Sequence, residues 1–462
     1  MRDEIRPARG ARTRLSGWGR TAWSVSDLVV PRDGADLSRI VSAPGPRGVI
    51  ARGLGRSYGA AAQNAGGTVV VLAGDADSRG PDMLLDGETG MLDAAAGVSI
   101  DAVLRHSVPR GWFVPVTPGT RHVTLGGAVA ADVHGKNHHV DGSFCDHVTS
   151  LDIVLADGST ETLDRVGDAR RFWATAGGMG LTGVVTRVRL RMTPVETSRM
   201  RVETLRTANL DAAFAELSAG GDDDAHRYTV CWIDMLASGA SMGRGVLTRG
   251  DHATTAEVGG DDPLGYSPRQ LLSAPPWVPG GLLNKATIRA FNEVWFRRAP
   301  RTPHVGIETI PAFFHPLDGV RGWNRLYGSR GFIQYQFIVP IERTDVVRAI
   351  VSRFSAAGAA SFLAVLKRMG TANAGPISFP TPGWTLSLDV PARAAGLSGL
   401  LGECDRLVLD AGGRHYLAKD AHVAPSAVRA GYPRLAEWQE IVHEMDPTGV
   451  FRSDLSRRLA LT

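Results

Sequence analysis

The feature that most constrains this chain is the placement of its glycines. Three segments of the first 195 residues concentrate them: Arg52-Gly53-Leu54-Gly55-Arg56-Ser57-Tyr58-Gly59, then Pro118-Gly119-Thr120-Arg121-His122-Val123-Thr124-Leu125-Gly126-Gly127-Ala128, then Ala176-Gly177-Gly178-Met179-Gly180-Leu181-Thr182-Gly183-Val184-Val185. Closely spaced Gly lets backbone N–H groups converge on an anion without obstruction by Cβ atoms. It also limits the intervening structure to short elements. Strands are expected at 49–51, 69–71, 91–95, 150–155 and 184–190, with one helix opened by Ser99 and a hairpin turn at Asp157-Gly158. Strands that do not alternate regularly with helices imply an α+β fold rather than a doubly wound sheet. The first segment fits neither GxGxxG nor the P-loop pattern.

A second pattern runs from 331 to 418. A strand at 331–339 is followed by a helix that Thr344 can cap and Gly358 can end, then by strands at 361–367 and 384–390. An apolar helical stripe from Leu397 to Val408 and a last strand at 414–418 complete a β-α-β-β-α-β order. Strand alternation places Gln334 and Gln336 opposite Ile333, Tyr335 and Phe337. It places Lys367 opposite Phe362 and Leu366, and Thr385, Ser387 and Asp389 opposite Trp384, Leu386 and Leu388. One face of this sheet is therefore apolar and the other polar, open either to solvent or to a substrate.

Charge narrows the partners. Lys and Arg total 51 against 47 Asp and Glu, a balance that requires no nucleic acid. Lysine stands only at 136, 285, 367 and 419. Each deserves scrutiny, because an amine can lose its proton where a guanidinium cannot. The three cysteines form no CxxC pair, and His138-His139 with Asp141 lacks metal-ligand spacing, so no metal is expected. No run of 18 apolar residues exists, and the first 20 residues lack the apolar core of a signal peptide. The expectation is a cytoplasmic protein or one peripheral to a membrane, with a periplasmic site left open. An apolar and cationic stretch at 275–298 is read either as a helix packed on the core or as a lipid-facing lid. In the second reading Trp277, Leu282, Leu283, Phe291, Trp295 and Phe296 meet a prenyl chain, and Lys285, Arg289, Arg297 and Arg298 meet anionic headgroups.

The Gly segments, the Ala156-Asp157-Gly158 hairpin and the 446–455 tail Asp-Pro-Thr-Gly-Val-Phe-Arg-Ser-Asp-Leu resemble the FAD-binding domain of the vanillyl-alcohol oxidase and aldonolactone oxidase superfamily. Together with His134-Gly135-Lys136-Asn137-His138-His139, the strand around Gln334-Tyr335-Gln336-Phe337, Ser378-Phe379-Pro380-Thr381-Pro382-Gly383-Trp384 and Ala418-Lys419-Asp420, the chain resembles the decaprenylphosphoryl-β-D-ribose 2′-oxidases, the flavoprotein halves of the actinobacterial 2′-epimerase. The resemblance implies an FAD-binding domain at 1–195, completed by 414–462, around a substrate-binding domain at 196–413 with an antiparallel sheet flanked by helices. It implies that the FAD pyrophosphate lies along Arg52, Gly53, Leu54, Gly55, Arg56, Ser57, Tyr58 and Gly59 and on to Ala61, and along Thr124, Leu125, Gly126 and Gly127 at the start of a short helix. Gly119, Ala131, Asp132, Val133, His134, Val185 and Tyr416 would line the flavin. Arg56 stands where relatives with covalent FAD carry a tethering His, so the cofactor is expected to be non-covalent.

The implied reaction removes hydride from C2′ of a polyprenylphosphoryl ribofuranose to give the 2′-keto sugar. An NADH-dependent reductase partner then completes epimerisation to the arabinose donor for cell-wall arabinan. Lys419 is the favoured chemical group and Lys367 an anchor; Tyr58 is the alternative base, and His134 orients the flavin. Gln334, Gln336, Phe314, Thr385 and Ser387 face substrate. The family pattern has Tyr, Asn and Cys where this chain has Phe314, Thr385 and Ser387, which keeps open an alternative substrate, a free aldonolactone or alditol.

Overall fold

The β-branched run after Gly48 becomes the strand Val49–Arg52 in the computed structural model, which describes residues 11–72, 82–218, 226–260, 262–270, 272–275, 278, 281, 283–359 and 361–462. This strand pairs in parallel with Thr68–Val71, which pairs in parallel with Trp23–Val29, itself antiparallel to Ala11–Ser16. The helix Gly34–Ser42 joins two of these strands. It starts where the Asp33 carboxylate accepts the Asp36 N–H, the usual service of an N-cap Asp. A second sheet is antiparallel, in the order Met83–Leu85, Met91–Ala95, Val184–Arg191, Val148–Val154, Thr160–Asp164. Leu92, Leu151, Val188 and the helix residues Leu125, Ala128 and Val129 are fully buried in the core between these layers.

The third sheet, eight-stranded among the described residues, is antiparallel in the order His304–Thr309, Arg199–Thr207, Gly245–His252, Tyr228–Ile233, Ala364–Met369, Gly383–Pro391, Phe332–Val339, Arg414–His415. The β-α-β-β-α-β order expected from 331 to 418 is present as half of it. The other half lies outside the strands expected above, although buried Met200 and Val202 alternate with Arg201 and Glu203 along Arg199–Thr207; the outward side chains form ion pairs across the strands. The Arg249 guanidinium, for example, holds Glu203 on the neighbouring strand at 2.6 Å.

Tyr335, Phe337, Leu366, Leu386 and Leu388 pack with Val347, Ile350, Phe354, Leu401 and Val408 of the helices Thr344–Ala357 and Leu397–Asp410. Alternation is correct for these strands. It fails at Phe362, which precedes the strand Ala364–Met369 and turns instead onto Tyr327 and Phe291. The polar face, with Gln334, Gln336, Lys367 and Ser387, looks toward the glycine-rich loops.

After His415 the chain returns to the first two sheets. Trp438, fully buried, donates its indole N–H to the Ala174 carbonyl at 2.9 Å. In the turn after the helix Leu435–Met445, the Asp446 carboxylate accepts the N–H groups of Val450 and Phe451, each at 2.7 Å, and the Val450 carbonyl accepts the Val49 N–H at 2.8 Å. The C-terminal tail is thus a clamp on the strand that leads into the first glycine loop. Asp446→Ala strands two buried donors and should cost about 2 kcal/mol or more of stability, read as a lower midpoint in urea unfolding of the holoprotein with unchanged slope.

Candidate active site

The first glycine loop and the last segment of the sheet meet through the backbone. The Tyr58 N–H donates to the Ala418 carbonyl (2.9 Å), and the Tyr416 N–H donates to the Gln336 carbonyl (3.1 Å). This sets the Lys419 Nζ 4.0 Å from the centroid of the Tyr58 ring. Between the loops and the polar face of the sheet lies one continuous cavity of about 1180 Å³. Arg52, Gly53, Leu54, Gly55, Arg56, Ser57, Tyr58, Gly119, Thr124, Gly126, Gly127, Ala131, Val133, His134, Val185 and Tyr416 line one end. Phe314, Gln334, Gln336, Lys367, Ser387 and Lys419 line the other.

Four residues expected there do not line it: Gly59, Leu125, Asp132 and Thr385. Gly59 packs against the Asp420 carbonyl, which a Cβ on it would meet at 1.8 Å. The Asp132 carboxylate is consumed by the Cys145 N–H, the Asn373 amide (2.7 Å) and the Ser378 hydroxyl (2.5 Å). Thr385 lies beneath the face. Its hydroxyl donates to the Phe337 carbonyl (2.8 Å) and accepts the Gln336 amide (3.3 Å), so it positions Gln336 rather than meeting substrate.

The short helix is a further correction. Its first N–H groups are already engaged, Leu125 with the Val98 carbonyl (2.9 Å), Gly126 with that of Ala96 (2.8 Å), and Gly127 with the Thr124 hydroxyl (3.2 Å). They are not free for a pyrophosphate. Among the described residues, the N–H groups of Leu54, Gly55 and Ser57 donate to no protein acceptor, and these residues do line the cavity. Gly53 keeps the cradle narrow: a Cβ there would stand 2.2 Å from the Thr124 hydroxyl.

The floor of the cavity holds the unusual electrostatics. Lys419 and Lys367 both line the cavity. Burial pushes the Lys367 amine down to about 8, and its Nζ donates to the Gly135 carbonyl at 3.1 Å. Burial also pushes Lys419 well below the usual lysine range; Asp389 opposes that shift and the like charge of Lys367 adds to it. Burial raises the Tyr58 phenol well above its ordinary value, and the charge of Asp389 adds to that, so Tyr58 stays a protonated phenol at neutral pH. His134 Nε2 accepts the Gln336 amide at 2.9 Å, leaving its Nδ1 buried without a protein partner. Burial first, then the neighbouring cations, hold the ring neutral.

Two further residues bear on these amines: Lys136 lines the cavity, and Asp389 lies behind its wall. Asp389, fully buried, accepts the Gln334 amide at 2.5 Å, its Oδ2 has no protein partner, and burial raises its pKa. Its signal was present, two residues beyond Ser387 on the same strand face. Lys136 donates to the Phe313 carbonyl (2.6 Å) over the Phe313 ring, and burial pushes it down to about 7. Its signal was the scarcity of lysine.

Phe314 sits in an aromatic cluster, with Tyr228 edge-on at 4.8 Å. His138 and His139 are occupied by the Gly370 N–H and the His226 carbonyl. Among the described residues no group of His, Cys, Asp and Glu is arranged to hold a metal. On the helix Lys285–Arg298, Phe291 and Trp295 stack on each other and stay partly exposed beside Val294, and Trp295 reaches the cavity wall. Phe296 does not share that face; the Arg206 and Arg244 guanidiniums cover it. Trp277 and Leu282 lie outside the described residues.

Residues 26–164 match the family described as FAD binding domain. Over 455 residues, 97% of each chain, the sequence is 42% identical to the decaprenylphosphoryl-β-D-ribose oxidase of Mycolicibacterium smegmatis. The chain belongs to the decaprenylphosphoryl-β-D-ribose oxidase family. A Streptomyces coelicolor protein named for its position in the mprA 5′ region is 40% identical over 366 residues, 77% of this chain and 97% of that one. Cytokinin dehydrogenase 1 of Oryza sativa subsp. japonica is 31% identical over 202 residues, 42% of this chain and 38% of that one.

FAD is the cofactor of this oxidase family member. The chain fits it: open N–H groups in a cradle too narrow for a Cβ at Gly53, and an unpartnered His134 Nδ1 further along the same wall. At the tether position, Arg56 stacks over the Trp18 ring at 4.0 Å and donates to the His122 carbonyl. No ring nitrogen stands there to bond the flavin. Acid precipitation of the holoprotein should therefore release the yellow chromophore into the supernatant; colour retained in the pellet would show a covalent link. Gly53→Val should yield folded protein with little or no flavin, measured as the ratio of flavin to protein absorbance.

Proposed function

We propose that this protein is an FAD-dependent oxidoreductase that oxidises the 2′-hydroxyl of a polyprenylphosphoryl-β-D-ribofuranose to the 2′-keto sugar. The product would pass to an NADH-dependent reductase that completes epimerisation to the arabinose donor for cell-wall arabinan. The observation that carries the reading is the desolvated Lys419 against Tyr58, in a cavity that continues into the glycine cradle. Membership of the decaprenylphosphoryl-β-D-ribose oxidase family over 97% of the chain supports the choice of sugar.

Bound FAD supplies the two-electron acceptor for the hydride from C2′. The chain supplies the rest. Lys419, with its proton affinity lowered, takes the 2′-hydroxyl proton. Asp389 counterbalances that amine, and Lys367 anchors the sugar. Gln336, held by Thr385, and Gln334, held by Asp389, orient its hydroxyls. His134, neutral and fixed by Gln336, faces the flavin side. We assign 1–195 with 414–462 to the FAD-binding half and 196–413 to the substrate half. The exposed Phe291, Val294 and Trp295, with Arg289, Arg297 and Arg298 on the same helix, would let the protein rest on an anionic membrane while the prenyl chain enters beside Trp295. Among the described residues no helix is long and apolar enough to cross a membrane.

Anaerobic mixing with farnesylphosphoryl-β-D-ribose should bleach the flavin, whereas a free aldonolactone should not. Bleaching by the aldonolactone alone would overturn the substrate assignment. Lys419→Ala should keep FAD and slow reduction by about 10²–10⁴, the usual scale for a general base. Lys419→Arg should not rescue it, because a guanidinium does not deprotonate.

Asp389→Asn tests the counter-charge. A carboxylate favours the protonated amine, so the amide lets Lys419 lose its proton at lower pH. The rising limb of the rate of flavin reduction against pH should move to lower pH by about one unit. An unmoved limb would mean that the two groups do not share a proton balance.

A further inference from the structure

The cavity wall carries two acidic residues among the described residues, Asp318 and Glu308. Asp318 is occupied: it accepts the Thr120 hydroxyl (2.7 Å) and the Arg121 N–H (2.8 Å). Glu308 is half-buried, and among the described residues no donor or cation stands within bonding distance of its carboxylate. It reaches the cavity against the usual pattern of a strand. Along the edge strand His304–Thr309 the apolar Val305 and Ile307 are exposed, while the charged Glu308, paired with Met200 of the next strand, lines the cavity.

Lys136 lines the same cavity. Burial raises the Glu308 carboxyl, and the charge of Lys136 opposes that rise, yet the two form no ion pair. The Lys136 amine is held instead by Phe313. It donates to the Phe313 carbonyl at 2.6 Å and stands 3.9 Å from the ring centroid. The Lys136 carbonyl accepts the Thr229 N–H (2.9 Å), which fixes the residue against the strand Tyr228–Ile233. Only one of its side-chain donors is spent on Phe313.

A carboxylate with open lone pairs and an amine with open donors, both facing one cavity and not touching, suit a hydroxyl. A hydroxyl donates to the first and accepts from the second, and it brings no charge of its own. A phosphate fits less well, because Glu308 repels it.

The neighbours of this pair identify the hydroxyl. Lys367 donates to the carbonyl of Gly135, the residue before Lys136. The charge of Lys367 acts on Lys419 on one side and on Lys136 on the other. The order along the wall is therefore Lys419, Lys367, Lys136, Glu308. A ribofuranose with its 2′-hydroxyl at Lys419 and its ring along Lys367 brings its most distant hydroxyl to the far pair. That is the 5′-hydroxyl, beyond C3′ and C4′; the 3′-hydroxyl is vicinal to the 2′ and stays near Lys419.

We propose that Glu308 and Lys136 form the recognition site for the 5′-hydroxyl of the sugar. This rests on the substrate assignment above. The carboxylate would accept from the hydroxyl and the amine would donate to its oxygen, which keeps the ring from turning while C2′ reacts.

The test measures flavin reduction by farnesylphosphoryl-β-D-ribose and by its 5′-deoxy and 3′-deoxy analogues. It uses wild-type holoenzyme and the variants Glu308→Met, Glu308→Gln and Lys136→Met, with the ratio of FAD to protein as the check on folding. The wild type should lose about ten- to a hundredfold in kcat/KM on the 5′-deoxy sugar, the scale of a hydrogen bond to a charged group. Glu308→Met should lose a similar factor on the parent sugar and no more on the 5′-deoxy one, because both changes remove the same bond. Lys136→Met should behave alike, and Glu308→Gln should keep part of the rate because an amide oxygen still accepts. Removing the 3′-hydroxyl should slow the wild type and Glu308→Met by the same factor. Additive losses from Glu308→Met and 5′-deoxygenation, or coupling of Glu308 to the 3′-hydroxyl instead, would overturn the assignment. So would Glu308→Met binding dihexyl phosphate about tenfold or more tighter, read from the flavin spectrum, since that would put the phosphate beside Glu308. If the parent sugar fails to bleach wild-type flavin, the substrate assignment falls and this site with it. If the parent and the 5′-deoxy sugar bleach it equally well, the substrate assignment stands and this site alone falls.

Discussion

An amine held away from water beside an aromatic ring is the constraint on which the site depends. Burial lowers the proton affinity of the Lys419 amine, and the role of proton acceptor proposed for it rests on that enclosure. That enclosure requires the turn after the last strand and the first glycine loop to touch, which the Tyr58 N–H and Ala418 carbonyl accomplish. The C-terminal clamp on Val49 and the Trp18 and Gly19 N–H groups, which donate to the Ser57 and Tyr58 carbonyls, hold the same loop from two other directions. Stability and chemistry therefore converge on one stretch of backbone, 49–59.

Glycine serves this convergence in a different way at each position. Gly53 leaves room for Thr124, Gly59 for the Asp420 carbonyl, and Gly331 for Gly19. None of these contacts is a helix terminus aimed at an anion. The cradle is built from loop amides that the protein leaves open, while the adjacent helix spends its own amides on Ala96 and Val98. In the proposed cofactor site, loop amides rather than a helix terminus would meet the phosphates.

Much of the site was legible in the sequence because a strand has period two. Gln334, Gln336, Lys367 and Ser387 fall on the cavity face as alternation requires, and Tyr335, Phe337 and Leu386 fall on the helix face. Alternation fails at Phe362, which lies before its strand begins, and it cannot tell Thr385, which stays beneath the face, from Ser387, which reaches the cavity. The half of the large sheet between 199 and 309 does carry a period in places: buried Met200 and Val202 alternate with Arg201 and Glu203, and the charged side chains pair across the strands. Alternation also puts Asp389 on the polar face, two residues beyond Ser387, but its bearing on Lys419, an amine in the turn after the last strand, arises only in the tertiary fold and no local pattern encodes it.

The central claim is that the cavity floor presents C2′ of a ribofuranose to the flavin. Its most direct test is anaerobic flavin reduction by farnesylphosphoryl-β-D-ribose deuterated at C2′, compared with the protiated sugar and with one deuterated at C3′. Bleaching slowed by a primary isotope effect for the C2′ label alone, with a 2′-keto product, is the result this account predicts. Equal rates for all three sugars, or slowing confined to the C3′ label, would contradict it.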